Sequence, residues 1–158
     1  MKTTALAATL AAMALPGAAL AQNIANVGWA PTHIITKNAY TDMAESLEAA
    51  TGGEFTLEVY TGGSLVDVKG TLKGVADGIA QVGFVTGAYL PSDLPLNNVM
   101  ADLAFVADDA IAAAFAMTEV SLLEPALNGE WKENGVLYAG GYSTPVYNFI
   151  CTKKVETA

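Results

Sequence analysis

Thr51-Gly52-Gly53-Glu54-Phe55-Thr56-Leu57-Glu58-Val59-Tyr60-Thr61-Gly62-Gly63-Ser64 is the stretch that decides the fold. Its middle alternates strictly, with apolar Phe55, Leu57 and Val59 set against Thr56, Glu58 and Tyr60, which is the period of a strand with one buried face. Gly52-Gly53 lets the backbone turn left-handed and close a helix arriving from the N-terminal side. Thr61-Gly62-Gly63-Ser64 is a turn. A helix stop, a strand and a turn in succession make part of an α/β unit.

The flanks supply the rest. Upstream, Ile35, Ala39, Met43 and Leu47 recur every four residues, with Tyr40 and Ala44 beside them. That spacing predicts an amphipathic helix from about Thr32 to Thr51. Before it, residues 24–29 are a β-prone run stopped at Pro31. Downstream, Asp67 reads as the N-cap of a short helix carrying Val68, Leu72 and Val75 inward, weakened by Gly70, Gly74 and Gly78. Residues 79–85 are almost continuously apolar, as in a parallel strand covered on both faces. A loop rich in turn formers occupies 86–95. Asp108-Asp109 opens a long Ala-rich helix anchored by Ile111, Phe115, Leu122, Leu123 and Leu127 and ended by Asn128-Gly129. Two more strands are predicted at 136–139 and 146–152, joined through 140–145. The order β-α-β-α-β-α-β predicts an α/β fold with a mostly parallel open sheet and helices on both faces.

The chain has 158 residues, 16 Asp+Glu against 7 Lys+Arg, one His, one Cys and a formal charge of −9. Every basic residue except His33 is Lys. Such acidity excludes a nucleic-acid surface, which needs clustered Lys or Arg to meet phosphates. One Cys and one His exclude a disulfide framework and leave too few ligands for an ordinary zinc site. Residues 1–21 read as a cleavable export signal. Lys2 precedes an apolar stretch at 5–15, Pro16-Gly17 breaks it, and Ala19-Leu20-Ala21 provides small residues before a cut ahead of Gln22. That predicts a soluble periplasmic product, residues 22–158, with no stable insertion in the membrane.

Enzyme signatures fail one by one. The stretch nearest to G-x-S-x-G, residues 141–145, has Pro145 where a nucleophile elbow needs glycine. No P-loop or G-x-G-x-x-G is present. Cys151 could pair with His33 only from inside an apolar strand, where a thiol is inert. Asp108 and Asp109 read as helix caps rather than an acid/base couple. No cofactor, no metal and no catalytic residues are therefore expected.

What remains is a set of β-to-α junctions, where open α/β sheets bind ligands. Trp29 and His33 follow the first strand, Asp67 the second, and Thr86 with Tyr89 the third. Tyr142, Thr144 and Tyr147 flank the crossover into the last. These eight are the candidate ligand-binding residues, because Trp and Tyr enclose an apolar body and still donate hydrogen bonds. Asp67 also reads as a plain N-cap, and His33 as decoration of the first helical turn.

The residues Trp29-Ala-Pro31-Thr-His33, the stop at Thr51-Gly52-Gly53, the run from Phe55 through Tyr60-Thr-Gly-Gly63-Ser-Leu65, and Val75-Ala-Asp77-Gly78-Ile79-Ala80-Gln81-Val82-Gly83 follow in order. Together they resemble the N-terminal part of a solute-binding receptor of the tripartite ATP-independent periplasmic (TRAP) transporters, the DctP-type family, over residues 24–157. The resemblance implies a two-lobed clamp that captures a small organic acid, dicarboxylate-like, and hands it to a pair of membrane subunits driven by an ion gradient. It also implies ligand contacts at Trp29, Asp67, Thr86 with Tyr89, and Thr144-Pro145. The family's carboxylate-clamping Arg has no counterpart here, so the chain reads as a first lobe truncated at the hinge, with weak affinity alone and an exposed sheet edge prone to aggregation. Two alternatives stay open. One is the receptor of an ATP-driven (ABC-type) uptake system for a zwitterionic or neutral solute; the other is a secreted α/β hydrolase with an atypical site.

Overall fold

The computed structural model describes residues 23–101, 107–143 and 152. Three parallel strands form the sheet: β1 (Asn23–Val27), β2 (Leu57–Thr61) and β3 (Val82–Gly83), in the order β2-β1-β3. β1 is therefore central, pairing Asn23 with Leu57 and Val27 with Thr61 on one side, and Ala25 with Val82 on the other.

Both faces of β1 are covered. Ala25 and Val27 join Ile35, Tyr40 and Leu57 in one buried cluster, against which Met43, Phe55 and Val59 also pack. The helical stripe and the alternating strand thus meet as their periods require. This first helix opens as a π-helical segment, Thr36–Thr41, and continues as α1 (Asp42–Ala50). It stops as expected: Gly52, at φ 62°, donates to the Ala49 carbonyl at 3.4 Å and Gly53 to that of Glu48 at 2.9 Å. That is a Schellman closure.

Asn26 points the other way, toward α2 (Thr71–Ala76). Its amide nitrogen donates to Thr71 Oγ1 at 2.9 Å, and its Oδ1 accepts the Val66 N–H at 3.2 Å. A second cluster forms beyond α2 from Leu72, Leu90, Leu94 and Trp131. Its members come from α2, from the turn after a 3₁₀ segment (Gly87–Tyr89), and from α5 (Pro125–Glu133).

Several expectations need correction. Asp67 does not cap α2. Its carboxylate accepts the Gly70 N–H at 2.6 Å and closes a separate turn, so the helix begins later, with Gly70 at its N-cap. The apolar run 79–85 yields only a two-residue strand, because Ile79 and Ala80 donate to the Gly74 carbonyl at 2.8 and 3.4 Å and are spent closing α2. The loop expected after Thr86 contains the 3₁₀ turn and leads into an unforeseen helix, α3 (Pro95–Ala101).

The long Ala-rich helix is two. Asp109 does cap α4 (Ala110–Leu123), accepting from Ile111 and Ala112 at 2.8 and 3.0 Å. The chain then bends by 77° into α5, with Pro125 at its first turn, where a missing N–H does no harm. Asn128-Gly129 lies inside α5. The stop is the next such pair, Asn134-Gly135, where Gly135 takes φ 75°. Of the supposed anchors of the long helix only Leu127 is buried; Ile111, Phe115, Leu122 and Leu123 are exposed. Residues 136–139 are not a strand. Val136 and Tyr138 pack on the second cluster, but no strand pairs with them among the described residues. The strand predicted at 146–152 lies almost wholly outside the described residues.

Candidate functional site

The order β2-β1-β3 has a consequence for ligands. The chain leaves β1 toward β2 on one side and returns across it to β3 on the other, so connections diverge between β1 and β3. In open parallel sheets that switch point, at the carboxyl ends, is where a crevice opens. The residues just past those two ends are Trp29 and the turn from Thr86 to Tyr89.

Trp29 is held by its backbone. Its carbonyl accepts the Gly62 N–H at 2.7 Å and the Thr36 hydroxyl at 3.5 Å, which fastens it between the end of β2 and the first helix. Its indole stacks on His33, centroids 4.9 Å apart and planes 17° from parallel. On the β3 side Tyr89 meets it at 6.4 Å and 47°. His33 is fixed in turn by its N–H on the Ala30 carbonyl at 2.9 Å and by Nδ1, which accepts the Ile35 N–H at 3.3 Å. The Tyr89 N–H donates to the Thr86 carbonyl at 3.0 Å, so those two share one turn.

Two buried side-chain atoms here find no hydrogen-bond partner among the described residues: Trp29 Nε1 and the Thr86 hydroxyl. Native proteins satisfy nearly all such groups, since a buried lone donor costs about 1–3 kcal/mol.

The remaining candidates distribute as follows. Asp67 lies next to Val68, whose backbone crowds Gly28: a Cβ there would sit 2.6 Å from the Val68 nitrogen. Negative charge thus stands near the end of β1, engaged with the Gly70 N–H. Tyr142 is reached through Phe84, which meets it edge-on at 6.1 Å and meets Tyr40 likewise at 6.3 Å. Thr144 and Tyr147 lie outside the described residues. Sequence reasoning passed over Phe84 and Asn26; the one visible signal was an amide inside an apolar strand. A second, open groove of about 340 Å³ runs between α4 and 141–143, lined by Ile111, Phe115, Thr118 and Tyr142. Gly141 donates there to the Thr118 hydroxyl at 2.8 Å. Among the described residues no three His, Cys, Asp or Glu side chains converge as a metal site, and no single helix is long and apolar enough to cross a membrane.

A parallel sheet with an aromatic cluster at its switch point is the plan of a periplasmic binding-protein lobe, and comparison agrees. Over residues 25–142 the sequence matches DctP, the bacterial extracellular solute-binding protein family 7, and the chain belongs to that family. Two solved structures share the fold. One is a TRAP periplasmic solute-binding protein from Sulfitobacter sp. NAS-14.1 with bound β-D-galacturonate (TM-score 0.54, 20% identity). The other is DctP7, an extracytoplasmic solute receptor from Bordetella pertussis binding pyroglutamic acid (TM-score 0.57, 21% identity). Each alignment covers 72% of this chain but only 37% and 36% of those proteins, so this chain spans little more than a third of their length. No curated protein sequence matches significantly. The family and both structural relatives are solute-binding receptors rather than enzymes.

Proposed function

We propose that the chain forms the first lobe of an extracytoplasmic receptor that captures a small organic acid for a TRAP-type secondary transporter. In this reading residues 1–21 are the export signal, cut after Ala21, and the receptor works in the periplasm with a pair of membrane subunits. The observation that carries it is the pairing of Trp29 with Tyr89 across the β1/β3 switch point in a family 7 chain. Trp29, His33, Thr86 and Tyr89 form the gripping surface, with Asp67 and Tyr142 at its edges; Thr144 and Tyr147 join them on the sequence reading alone. The acids named on the two solved relatives, a sugar acid and a cyclic amino-acid derivative, support an organic acid as cargo and widen it beyond the dicarboxylates. Membership of family 7 favours the TRAP system over an ATP-driven one.

The test is calorimetric titration of the protein, as its own gene encodes it, with galacturonate, pyroglutamate and succinate. At least one should bind, and Trp29→Ala should weaken it by about tenfold or more, as expected for losing a buried aromatic contact. Absence of binding by all three, or a Trp29→Ala variant that binds as well as the parent, would refute the reading.

A further inference from the structure

The two orphaned polar atoms of the crevice define more than its place. Trp29 Nε1–H and the Thr86 hydroxyl are both buried, both without a partner among the described residues, and both belong to residues flanking the β1/β3 switch point. We propose that this donor pair receives an uncharged oxygen of the solute, a carbonyl or hydroxyl, and that the first lobe selects cargo by that oxygen rather than by its carboxylate. The proposal rests on the receptor reading and says which end of the solute this lobe holds.

Three observations support it. An indole N–H only donates, so the atom facing it must offer a lone pair, which rules out an ammonium group at that point. Within this lobe a carboxylate is the weaker occupant, because none of the described residues is an Arg that could meet it. Asp67, beside the Val68 backbone that abuts Gly28, also brings negative charge to the same end of β1. The ring faces, finally, are partly taken. Trp29 is covered on one side by His33 at 4.9 Å and flanked by Tyr89 at 6.4 Å, so no complete aromatic cage is left for a cation. What the crevice still offers is its donors.

The experiment compares pyroglutamate and galacturonate with cyclopentanecarboxylate, which has a ring and a carboxylate but no other oxygen. Titrations use the protein as its own gene encodes it and its Thr86→Val, Thr86→Ser and Trp29→Phe variants. The parent should prefer an oxygen-bearing acid. Thr86→Val and Trp29→Phe should each reduce that preference by about tenfold, the worth of one well-placed hydrogen bond, while Thr86→Ser keeps it. Thermal melting without solute gives a second readout: Thr86→Val removes an unsatisfied buried group of the same shape, so its midpoint should hold or rise. Equal binding of all three acids by the parent overturns the proposal and leaves the receptor reading standing. So does a preference that survives both variants, or a clear fall in the midpoint of Thr86→Val. Binding of succinate alone, which has no uncharged oxygen of this kind, likewise overturns the proposal. If the parent binds neither these acids nor succinate, the receptor reading fails and this proposal falls with it.

Discussion

At the end of β1 Val68 lies so near Gly28 that an added methyl group would sit 2.5 Å from its Cγ2 and 2.6 and 2.7 Å from its backbone N and Cα, whereas on α4 both Ile111 and Phe115 are 72% exposed. The two regions are held by different means. Around the sheet, volume decides: Ala25 and Val27 have no exposure at all, and helices close on both faces. In the helical region, polar groups do much of the joining. The Glu130 carboxylate of α5 accepts the Leu96 and Asn97 N–H groups at the start of α3, at 2.6 and 3.0 Å, and the Asn97 amide at 2.8 Å. The Asn97 oxygen in turn accepts the Trp131 indole N–H at 3.0 Å. Steric fit fails through added atoms, and a polar joint fails through a changed proton or a lost donor.

The largest effect should therefore follow the smallest substitution, at the sheet. Gly28→Ala places a carbon against backbone atoms that cannot rotate away, and should destabilise the protein by about 3 kcal/mol, read as a fall in the urea midpoint. A midpoint unchanged within error would mean that the β1–Val68 approach is loose and the contrast between the regions is false.

Next comes the polar joint. Glu130→Gln keeps the shape but turns a donor toward donors, and should remove about 2 kcal/mol. Acid sharpens the same point. Burial works to raise the Glu130 pKa, but the hydrogen bonds from Leu96 and Asn97 outweigh it and hold the group below its ordinary value of 4.5. The unfolded chain therefore takes up this proton first as pH falls. The stability contributed by Glu130 is complete above 4.5 and is lost as pH drops through the lower, folded value. Urea midpoints of parent and Glu130→Gln should converge on acidification through that window. Parallel curves would assign the joint to packing instead.

How far the sequence exposed all this follows the same division. The sheet was readable because its rules are local. Phe55, Leu57 and Val59 alternate, Ile35 to Leu47 repeat at helical spacing, and Gly52 closes the helix that precedes them. Trp29 and His33 were readable as a pair for the same reason, since one short junction holds both. The helical region obeys rules that run across the chain. Glu130 caps a helix more than thirty residues away, and Asn134-Gly135 rather than Asn128-Gly129 ends α5, a choice between identical dipeptides that only the position of Pro125 hints at. Alternation at Val136 and Tyr138 resembled a strand, but a strand needs a neighbour to pair with, and spacing does not show one. The unpartnered Trp29 and Thr86 atoms were wholly hidden, since satisfaction of a hydrogen bond is a property of surroundings.

A cap offers an intermediate case. Asp109 accepts two N–H groups of α4, and Asp109→Ala should reduce stability by about 1 kcal/mol, visible in the same urea experiment, with lowered helicity by circular dichroism. A smaller loss would indicate that α4 is held by its contacts with α5 and the segment from Gly141, rather than by its own start.

The smallest effect should come from the residues that looked most like core. α4 is apolar around most of its circumference, so its composition has no face to read, and a helix of that kind is ordinarily buried. Here Ile111 and Phe115 instead line an open groove with Tyr142. Substituting exposed side chains away from caps and buried networks changes stability by about 0.5 kcal/mol or less. Ile111→Ser and Phe115→Ser should each stay within that limit, and both should reduce self-association in sedimentation velocity, because exposed apolar surface of this extent favours contact between molecules. A loss of more than about 1 kcal/mol in either would mean that another surface covers α4 in solution. The second region would then also be held by volume, and polar joining would describe only the Glu130 contact between α3 and α5.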